Sequence, residues 1–515
     1  MRSFRLILFV FSIAIKERCE ANKDYAYSIA QKVSLLDLKK YLVEDLSVYA
    51  RELQQNLYAV ELGVTQIEKI VQQLEEHHKG GEFNAIRQFA LLRHLYSDWP
   101  QWLQFMRQKV ASAWQIHAQE IRPYLPTKDD FDEACQVIYI LIDVYGLSVE
   151  DFSRGLINGK QYTSKSFDLM DCFALARHGF EQQYFDLAEA WFEAIRADQD
   201  ELHRVMGYDW VMGYDWAHVL QLYARNLYNL GKKELALEVL QKALSLGTDN
   251  HRILRQLKFM ERGDLVPMKL EREGQVVNYA EGCRGLFDPP KGLSCHYDFH
   301  THPLLRLAPL KVEPLHREPY IAMYHDVIYE SEIEELKRDA MPDLKRSKVL
   351  DLSRGEVPDH GRTSTSAFQD YDQSRAVIAV NRRVMYMTGF EVLRGGSSDD
   401  LLVINYVPGA QYMPHRDFFG PTYNHYIERG DRIATTLFYL NDVEQGGNTV
   451  FPDLGISCTP KKGSAVVFHN MNSTYQGEMR STHGGCPVLV GSKWAATKWI
   501  YGAEQMFQWK CVKPK

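Results

Sequence analysis

The chain has 515 residues, of which 45% are hydrophobic and 25% are charged, a composition typical of a globular protein with more than one domain. Its 60 Lys and Arg residues against 67 Asp and Glu residues give a formal net charge of -7, and the basic residues are dispersed along the chain. These values argue against a polyanion as the main partner, so we predict no nucleic-acid binding.

Residues 1–21 have the pattern of a cleavable signal peptide. Arg2 and Arg5 precede an apolar run over Leu6–Ile15, and small and polar residues follow. A run of about ten apolar residues is too short to span a bilayer, and no later segment is apolar enough to do so. We therefore predict a secretory protein without a membrane span whose mature chain begins near Asn22. The alternative is a buried N-terminal helix.

The cysteines are interpreted in the oxidising setting that a signal peptide implies, where disulfides form and persist. Cys283 and Cys295 flank one turn-rich segment, which favours a disulfide between them. A second disulfide, between Cys486 and Cys511, could tie the C-terminal tail to the last domain. The sequon that begins at Asn472 predicts N-glycosylation.

Residues 22–127 are predicted to form a helical domain. Ser34 followed by Asp37 resembles a capping box, which places a helix start at Ser34. Apolar residues then recur every three or four positions at Leu38, Leu42, Leu46, Tyr49, Leu53 and Leu57. Such a stripe needs a partner helix, either within the same domain or in a second subunit as a coiled-coil-like dimer seam.

Residues 128–261 continue the helical pattern with a repeat of helix pairs. In the segment 222–246, small residues and a Gly turn are typical of a tetratricopeptide helix pair, and residues 171–195 form a weaker relative. Two pairs and a flanking helix can form a small grooved domain, whose groove could hold an extended peptide. The alternative is a helical spacer.

Charged and turn-forming residues at 262–275 predict a linker, and strand-like runs dominate after it, over residues 276–515. The predicted strands are Pro319–Tyr324, Ala376–Val380, Leu401–Val407, Arg432–Leu440, Ser464–Phe468 and Trp494–Tyr501. The segments Ser331–Ala340 and Ser374–Gly389 have room for helices on the outside. We therefore predict a multidomain α plus β protein that ends in a double-stranded β-helix, or jelly roll.

Three H-x-[DE] matches in this last region are candidate metal sites, and they begin at His296, His316 and His415. The first lies in a turn-rich segment without a strand pattern, so we do not favour it. The third follows the predicted strand Leu401–Val407. Because residues two apart on an extended backbone point the same way, His415 and Asp417 can bind one metal ion.

A third ligand must come from another strand, and His469 and His483 are both candidates. Two histidines and one carboxylate leave three positions on Fe(II), as expected for an oxygen-activating enzyme. A keto-acid cosubstrate would fill two positions and dioxygen the third. The second carboxylate of the keto acid would need a buried cation, which Lys493, ten residues after His483, could supply.

The segments NYVPGAQYMPHRDF, GDRIATTLFYLNDVEQGGNTVFP and CPVLVGSKW resemble the catalytic domain of prolyl 4-hydroxylases. The order of the whole chain resembles the α subunits of animal collagen prolyl 4-hydroxylases. That resemblance implies a dimerisation domain over 22–127, a tetratricopeptide-like peptide-substrate-binding domain over 128–261 and a 2-oxoglutarate- and Fe(II)-dependent dioxygenase domain over 276–515.

The resemblance also assigns site residues, in three sets. The catalytic iron ligands that it implies are His415, Asp417 and His483. The cosubstrate residues that it implies are Lys493, for the distal carboxylate of 2-oxoglutarate, with Tyr406, Thr435 and Trp499 lining the pocket. The tyrosines that remain for a peptide groove are Tyr184, Tyr223 and Tyr228.

The implied reaction converts peptidyl proline to 4-hydroxyproline with dioxygen and oxidative decarboxylation of 2-oxoglutarate, while L-ascorbate keeps the iron reduced. The implied substrate is a proline-rich, collagen-like peptide. Protein disulfide isomerase is implied as the β subunit of a two-α, two-β tetramer in the endoplasmic reticulum lumen. Two alternatives remain: an oxygenase that acts on another proline-rich secreted protein, and a non-catalytic peptide-binding subunit.

Overall fold

The computed structural model describes residues 29–78, 99–106, 128–162, 167, 169–197, 216–245, 251–263, 278–351, 355–359, 361–420, 429–505 and 508. The predicted signal peptide, most of the predicted linker and Cys511 lie outside these ranges. The chain divides into two compact units, which separate after residue 127. Within the described ranges, no helix is both long and apolar enough to cross a bilayer.

The first unit contains the 50-residue helix α1 (Ile29–His78) and the short helix α2 (Trp99–Met106). The predicted helix start at Ser34 is wrong, because good helix formers before it extend α1 towards the N-terminus. Gly63 allows close packing within this unit, since a Cβ there would lie 2.1 Å from the Trp102 ring. Several residues of the predicted apolar stripe, including Leu46 and Leu57, are exposed in this structure.

The second unit begins with helices and one short hairpin. The helices are α3 (Lys128–Tyr145), α4 (Val149–Ser153), α5 (Leu169–Glu181), α6 (Phe185–Ala197), α7 (Trp216–Asn229), α8 (Lys233–Ser245) and α9 (His251–Arg262). The hairpin joins β1 (Leu156–Ile157) to β2 (Lys160–Gln161). Small residues, among them Ala188, Ala224 and Ala236, have no exposed surface and allow the paired helices to approach closely. The predicted helical character of this half is confirmed.

The rest of the second unit is rich in strands. Its helices are α10 (Tyr279–Cys283), α11 (Glu330–Ala340) and α12 (Arg375–Thr388). Its strands are β3 (His296–Asp298), β4 (Leu310–His316), β5 (Ile321–His325), β6 (Lys345–Arg346), β7 (Lys348–Asp351), β8 (Gly355–Pro358), β9 (Thr365–Gln369), β10 (Leu401–Tyr406), β11 (Tyr412–His415), β12 (Arg432–Tyr439), β13 (Gln445–Gly446), β14 (Thr449–Phe451), β15 (Ile456–Cys458), β16 (Ala465–His469), β17 (His483–Gly485), β18 (Val488–Val490) and β19 (Lys493–Tyr501).

Most of these strands belong to two sheets, while β7 pairs with β8 and β13 pairs with β18 in separate two-stranded sheets. The larger has nine strands in the order β3-β4-β5-β16-β12-β19-β10-β9-β6, and the smaller has four in the order β11-β17-β14-β15. Alternation along β10 shows how the larger sheet is used. Leu401 and Val403 belong to the core under α11 and α12, whereas Ile404 and Tyr406 line a cavity on the opposite face. The large sheet therefore has one face for stability and one for a site.

Five of the six predicted strands are present, and the sixth, Ala376–Val380, is wrong. That segment lies in α12, where the Ser374 side chain accepts a hydrogen bond from the Val377 amide and caps the helix. Gly389, at a φ of 72°, ends the helix in the left-handed conformation that favours glycine. The helix at Ser331–Ala340 is confirmed as α11, which starts one residue earlier.

The described disulfide differs from both predicted ones. Cys283 in α10 is bonded to Cys486, which precedes β18, and their Cα atoms are 5.5 Å apart. The two sulfurs meet because α10 packs beside β14 and β15, where Cys283 and Cys486 share a buried cluster with Val144 and Val450. Cys295 is an exposed free thiol, so the predicted Cys283–Cys295 and Cys486–Cys511 pairs are wrong.

Replacing Cys486 with Ser should lower the thermal unfolding temperature of the second unit. The disulfide joins residues 203 positions apart. Loss of a native disulfide typically costs about 2–5 kcal/mol, because the unfolded chain regains freedom. Calorimetry under non-oxidising handling measures the shift, and Cys295→Ser, which changes an exposed thiol, serves as the matched control. Equal unfolding temperatures for Cys486→Ser and the parent protein would contradict the pairing.

Candidate functional site

The cavity between the two sheets collects the predicted site residues. His415 ends β11 and lies opposite His483 of β17 in the antiparallel register of the smaller sheet, and Asp417 follows two residues after His415. On the larger sheet, Tyr406 pairs with Lys493 and Thr435 pairs with Trp499. The cavity is lined by Arg362, Ile404, Tyr406, Tyr412, His415, Asp417, Thr435, Leu437, Thr449, Phe468, His483, Gly485, Lys493, Thr497 and Trp499.

Three of these side chains converge as a ligand set. The ligand atoms of His415, Asp417 and His483 all lie within 4.8 Å of one another. Nε2 of His415 is 3.5 Å from Asp417 Oδ1, and Nε2 of His483 is 3.7 Å from Asp417 Oδ2. Within the described residues, no other group of three or more His, Cys, Asp or Glu side chains converges in this way.

The backbone fixes which ring nitrogen each histidine presents. Nδ1 of His415 lies 2.8 Å from the Met413 carbonyl, and Nδ1 of His483 lies 3.1 Å from the Ser481 carbonyl. A carbonyl can only accept, so each Nδ1 carries the proton and each Nε2 keeps a lone pair. Burial also lowers the pKa of His483 to about 4, which keeps that imidazole neutral. Both Nε2 atoms are therefore available to a metal.

Asp417 is held by a chain of hydrogen bonds. The Thr435 hydroxyl donates to Asp417 Oδ2 at 2.7 Å, and the Asn470 amide donates to Thr435 Oγ1 at 2.9 Å. Burial alone would raise the pKa of Asp417, but the adjacent His483 and His415 in their protonated forms, together with the Arg432 guanidinium, hold that pKa well below its usual range. Two imidazole nitrogens and one ionised carboxylate are the donor set that suits a non-haem Fe(II).

Lys493 lies in the same cavity without a carboxylate partner among the described residues. Its Nζ donates to the Gly447 carbonyl at 2.7 Å and to Thr449 Oγ1 at 3.3 Å. An ammonium has three N–H donors, so one remains for a ligand. Burial lowers the pKa of Lys493 to about 7, because no anion stabilises the charge. The site therefore offers a cationic pocket that an anionic ligand would complete.

The three residues predicted to line the cosubstrate pocket all line this cavity, and one of them, Thr435, also has a second role. Tyr406 and Trp499 line it, and the Lys493 Nζ is 5.4 Å from the centre of the Tyr406 ring. Thr435 lines it too, but its hydroxyl is bonded to Asp417 and thus orients a ligand. The hydroxyl that contacts Lys493 is that of Thr449, which the sequence analysis missed. No sequence motif marks Thr449, and its role follows only from this contact.

Arg362 was also missed. It is buried in the cavity wall, and its guanidinium lies 4.7 Å from the centre of the Tyr412 ring. Tyr412 in turn stacks on His415, with ring centres 3.5 Å apart. Arg362 lies more than fifty positions before the metal motif, outside every segment that carried the resemblance, so no sequence signal pointed to it.

The disfavoured histidines remain outside the ligand set. His469 ends β16 and packs on Tyr320, and burial lowers its pKa to about 4. His296 belongs to strand β3 at the edge of the larger sheet, so the expected lack of a strand there is wrong. Asp298 accepts hydrogen bonds from the His300 and Thr301 amides in a local turn. Neither H-x-[DE] match elsewhere forms a metal-binding group.

The three tyrosines predicted for a peptide groove differ in accessibility. Tyr223 and Tyr228 are 1% and 7% exposed, and Tyr223 stacks on Phe192 at 5.0 Å. Both rings pack in the hydrophobic core between the helices, and their role as peptide-stacking rings stays a prediction. Tyr184 is half-buried and accepts a hydrogen bond from Gln136. It remains a candidate peptide contact.

Asn472, the predicted glycosylation residue, lies in a turn after β16. Its side-chain oxygen accepts hydrogen bonds from the Thr474 amide and hydroxyl and from the Gln476 amide. The side chain is partly exposed. Glycosylation at this position stays a prediction.

Two family models match the chain. The model for the prolyl 4-hydroxylase alpha-subunit, N-terminal region, matches residues 28–159, and the 2OG-Fe(II) oxygenase superfamily model matches residues 401–501. The second range includes the three converging ligands and Lys493. The first ends in the β1–β2 hairpin and includes α1, α2 and α3.

Relatives match over most of their lengths. Prolyl 4-hydroxylase subunit alpha-1 of Bos taurus is 29% identical over 525 residues, covering 96% of this chain and 96% of the relative. Prolyl 4-hydroxylase subunit alpha-2 of Caenorhabditis elegans is 30% identical over 461 residues, covering 84% of this chain and 83% of the relative. A solved viral collagen prolyl hydroxylase from Paramecium bursaria Chlorella virus-1 covers 36% of this chain and 96% of its own at 21% identity, with a TM-score of 0.29. That structural likeness is too slight to support a conclusion.

Thr435→Val should weaken metal binding at this site. The substitution keeps the volume of the side chain but removes the donor to Asp417 Oδ2. Loss of a hydrogen bond to a ligating carboxylate typically costs about 10- to 100-fold in metal affinity. Titration with Mn²⁺ or anaerobic Fe²⁺ measures it. Thr436→Val is the matched control, because the neighbouring hydroxyl is buried without a partner; equal losses in both variants would contradict the role given to Thr435.

Proposed function

The chain belongs to the prolyl 4-hydroxylase α-subunit family, and on that premise we propose that it hydroxylates proline in collagen-like peptides to 4-hydroxyproline. It is a 2OG-Fe(II) oxygenase, so the non-catalytic alternative loses its basis. The observation that carries the proposal is one cavity that contains both a converging His-Asp-His set and a buried lysine with a spare donor.

The proposal gives each cavity residue a task. His415, Asp417 and His483 hold Fe(II), which when bound supplies the oxygen-activating chemistry. Lys493 binds the distal carboxylate of 2-oxoglutarate, and Thr449 holds the lysine in place. Tyr406 and Trp499 form walls that exclude water from the reacting groups. The protein thus contributes binding, orientation and electrostatics.

The wider assignment follows from family membership. We propose a double-stranded β-helix for the catalytic region over 276–515, a tetratricopeptide-like peptide-binding domain over 128–261 and a dimerisation domain over 22–127. The protein would reside in the endoplasmic reticulum lumen after removal of residues 1–21. Protein disulfide isomerase would be the β subunit of a two-α, two-β tetramer, and L-ascorbate would keep the iron reduced.

One observation favours a second candidate substrate. Aromatic rings stack well on proline-rich chains in the extended polyproline conformation. Tyr223 and Tyr228 are buried between helices, which leaves fewer rings for such stacking. A proline-rich secreted protein other than collagen is therefore the alternative substrate, with the same reaction at the same site.

A peptide panel tests the proposed reaction. Collagen-like and other proline-rich peptides are incubated in air with the Fe²⁺-loaded protein, 2-oxoglutarate and ascorbate, and peptide-dependent succinate release and 4-hydroxyproline are measured. We expect the largest turnover with collagen-like repeats. His483→Ala should abolish both products because it removes a ligand atom, whereas His469→Ala, which changes a histidine outside the ligand set, should retain them. Full activity in His483→Ala, or no hydroxyproline from any peptide, would refute the proposal.

The affinity for 2-oxoglutarate should fall as pH rises above about 7. Burial lowers the pKa of Lys493 to about 7 in the cosubstrate-free protein. A bound carboxylate would raise that pKa, so binding above pH 7 requires uptake of a proton and weakens by up to about tenfold per pH unit. Below pH 7 the lysine is already charged, and the dependence should level off.

Calorimetric titration of the Mn²⁺-loaded protein at several pH values between 6 and 9 measures this dependence. The matched control is 2-oxobutyrate, a keto acid that lacks the distal carboxylate and so makes no contact with Lys493. Its affinity should lack this pH dependence. The same slope for both ligands would show that another group is responsible.

A further inference from the structure

Helix α3 lies against the turn that contains the carbonyl partner of Lys493. The Tyr145 hydroxyl, at the end of α3, donates to the Pro487 carbonyl. That carbonyl also accepts the Gly447 amide at 3.1 Å, and the Gly447 carbonyl accepts the Lys493 Nζ at 2.7 Å. Three consecutive hydrogen bonds therefore connect a tyrosine of the helical region to the buried cation of the cavity.

Glycines make this close approach possible at two turns. A Cβ on Gly446 would lie 2.5 Å from the Tyr145 hydroxyl, and a Cβ on Gly409 would lie 2.0 Å from Cγ1 of Val137 on the same helix. Both glycines have φ values near 80°, at 79° and 81°, which other residues rarely adopt. Gly409 lies in the turn before β11, which carries His415, and Gly446 lies before β14, which carries Thr449. Helix α3 therefore contacts one turn near the His-Asp-His set and one turn near Lys493.

The β1–β2 hairpin holds the same turn from its exposed side. The Tyr162 hydroxyl donates to Glu444 at 2.9 Å and accepts from the Gln445 amide at 2.8 Å. Asn158 donates to Gln445 at 2.8 Å, and Lys160 forms an ion pair with Glu444. Exposed ion pairs contribute little to stability. We therefore expect the more buried Tyr145 hydrogen bond to restrain the turn more strongly than the hairpin contacts do.

The end of α3 is itself fixed to the catalytic region. Arg284 follows the disulfide cysteine Cys283 and donates to the carbonyls of Val144 at 2.7 Å and Asp143 at 2.8 Å. A cation at the C-terminus of a helix satisfies free carbonyls and is favoured by the helix dipole. Tyr145 therefore has a defined position relative to the turn at Gly447.

We propose that α3 and the β1–β2 hairpin support the 2-oxoglutarate pocket from outside its lining, with Tyr145 as a positioning residue that orients Lys493 through the Gly447 turn. This rests on the proposed function, in which Lys493 binds the distal carboxylate. Because Lys493 uses one donor on Gly447, a displaced turn would redirect the donor that remains for the carboxylate. The helical region then contributes to cosubstrate affinity as well as to peptide binding.

Tyr145→Phe in the full-length, Mn²⁺-loaded protein tests the proposal. The ring stays, one hydrogen bond is lost, and the dissociation constant for 2-oxoglutarate should rise roughly three- to tenfold. In turnover, the KM for 2-oxoglutarate should rise by a similar factor while kcat and the KM for peptide stay unchanged. Hydrogen exchange of the Gly447 amide should also accelerate, because its acceptor carbonyl loses a restraint.

Tyr139→Phe is the matched control. Tyr139 lies on the same helix and also donates from a buried hydroxyl to a backbone carbonyl, that of Leu175 at 2.9 Å, but it points towards α5. It should lower the unfolding temperature without changing 2-oxoglutarate affinity. Tyr162→Phe, at the hairpin, should give a smaller rise than Tyr145→Phe and is a second test should that variant fold poorly.

Lys493→Ala separates the two proposals. A large loss of 2-oxoglutarate affinity in Lys493→Ala, with wild-type affinity in both Tyr145→Phe and Tyr162→Phe, would overturn the role of α3 and leave the proposed function standing. Unchanged affinity in Lys493→Ala would overturn the pocket assignment and this inference with it. Equal rises of the 2-oxoglutarate dissociation constant in Tyr145→Phe and Tyr139→Phe would show that Tyr145 contributes only to general stability. That result would also overturn the proposal.

Discussion

The buried carboxylate of Asp417 imposes the constraint that the rest of the site must meet. The residue is 6% exposed, and an ionised carboxylate at that depth is costly unless donors and charges surround it. Thr435, itself held by Asn470, donates a hydrogen bond to the carboxylate, the Arg432 guanidinium supplies positive charge, and His415 and His483 flank the carboxylate. These groups come from both sheets, so the fold has to bring the sheets together before the carboxylate can remain ionised.

Lys493 is also a buried ionisable group, but its surroundings differ from those of Asp417. Its acceptors among the described residues are neutral, namely the Gly447 carbonyl and the Thr449 hydroxyl, and burial lowers its pKa to about 7. The cavity thus contains the Asp417 carboxylate, whose charge is balanced by neighbouring groups, and the Lys493 ammonium, whose charge has no anionic partner among the described residues. A ligand with an anionic group at its far end gains most from this asymmetry, whereas a neutral ligand leaves Lys493 uncompensated.

Much of this site could be predicted from sequence because its pattern is local. Strand β10 is apolar or aromatic except at Asn405, and His415 and Asp417 are two residues apart, so their direction follows from strand geometry. The Cys283–Cys486 disulfide could not be predicted, because it depends on where α10 packs against strands far along the chain. Ala376–Val380 was misjudged because β-branched residues suggested a strand, whereas the Ser374 cap and Gly389 stop define a helix.

The tyrosines of the helical region show a further limit of pattern reading. A tyrosine on a helix can face a groove or the neighbouring helix, and spacing alone does not distinguish the two when small residues occur on both faces. Tyr223 is used for packing, whereas Tyr145, which no motif marked, reaches the wall of the catalytic cavity. Gly446 reflects this position, because a side chain there would collide with the Tyr145 hydroxyl. Glycines in the turns beside the cavity thus carry information about which helix packs behind them, and here that helix is α3, which precedes the helix pairs α5–α6 and α7–α8.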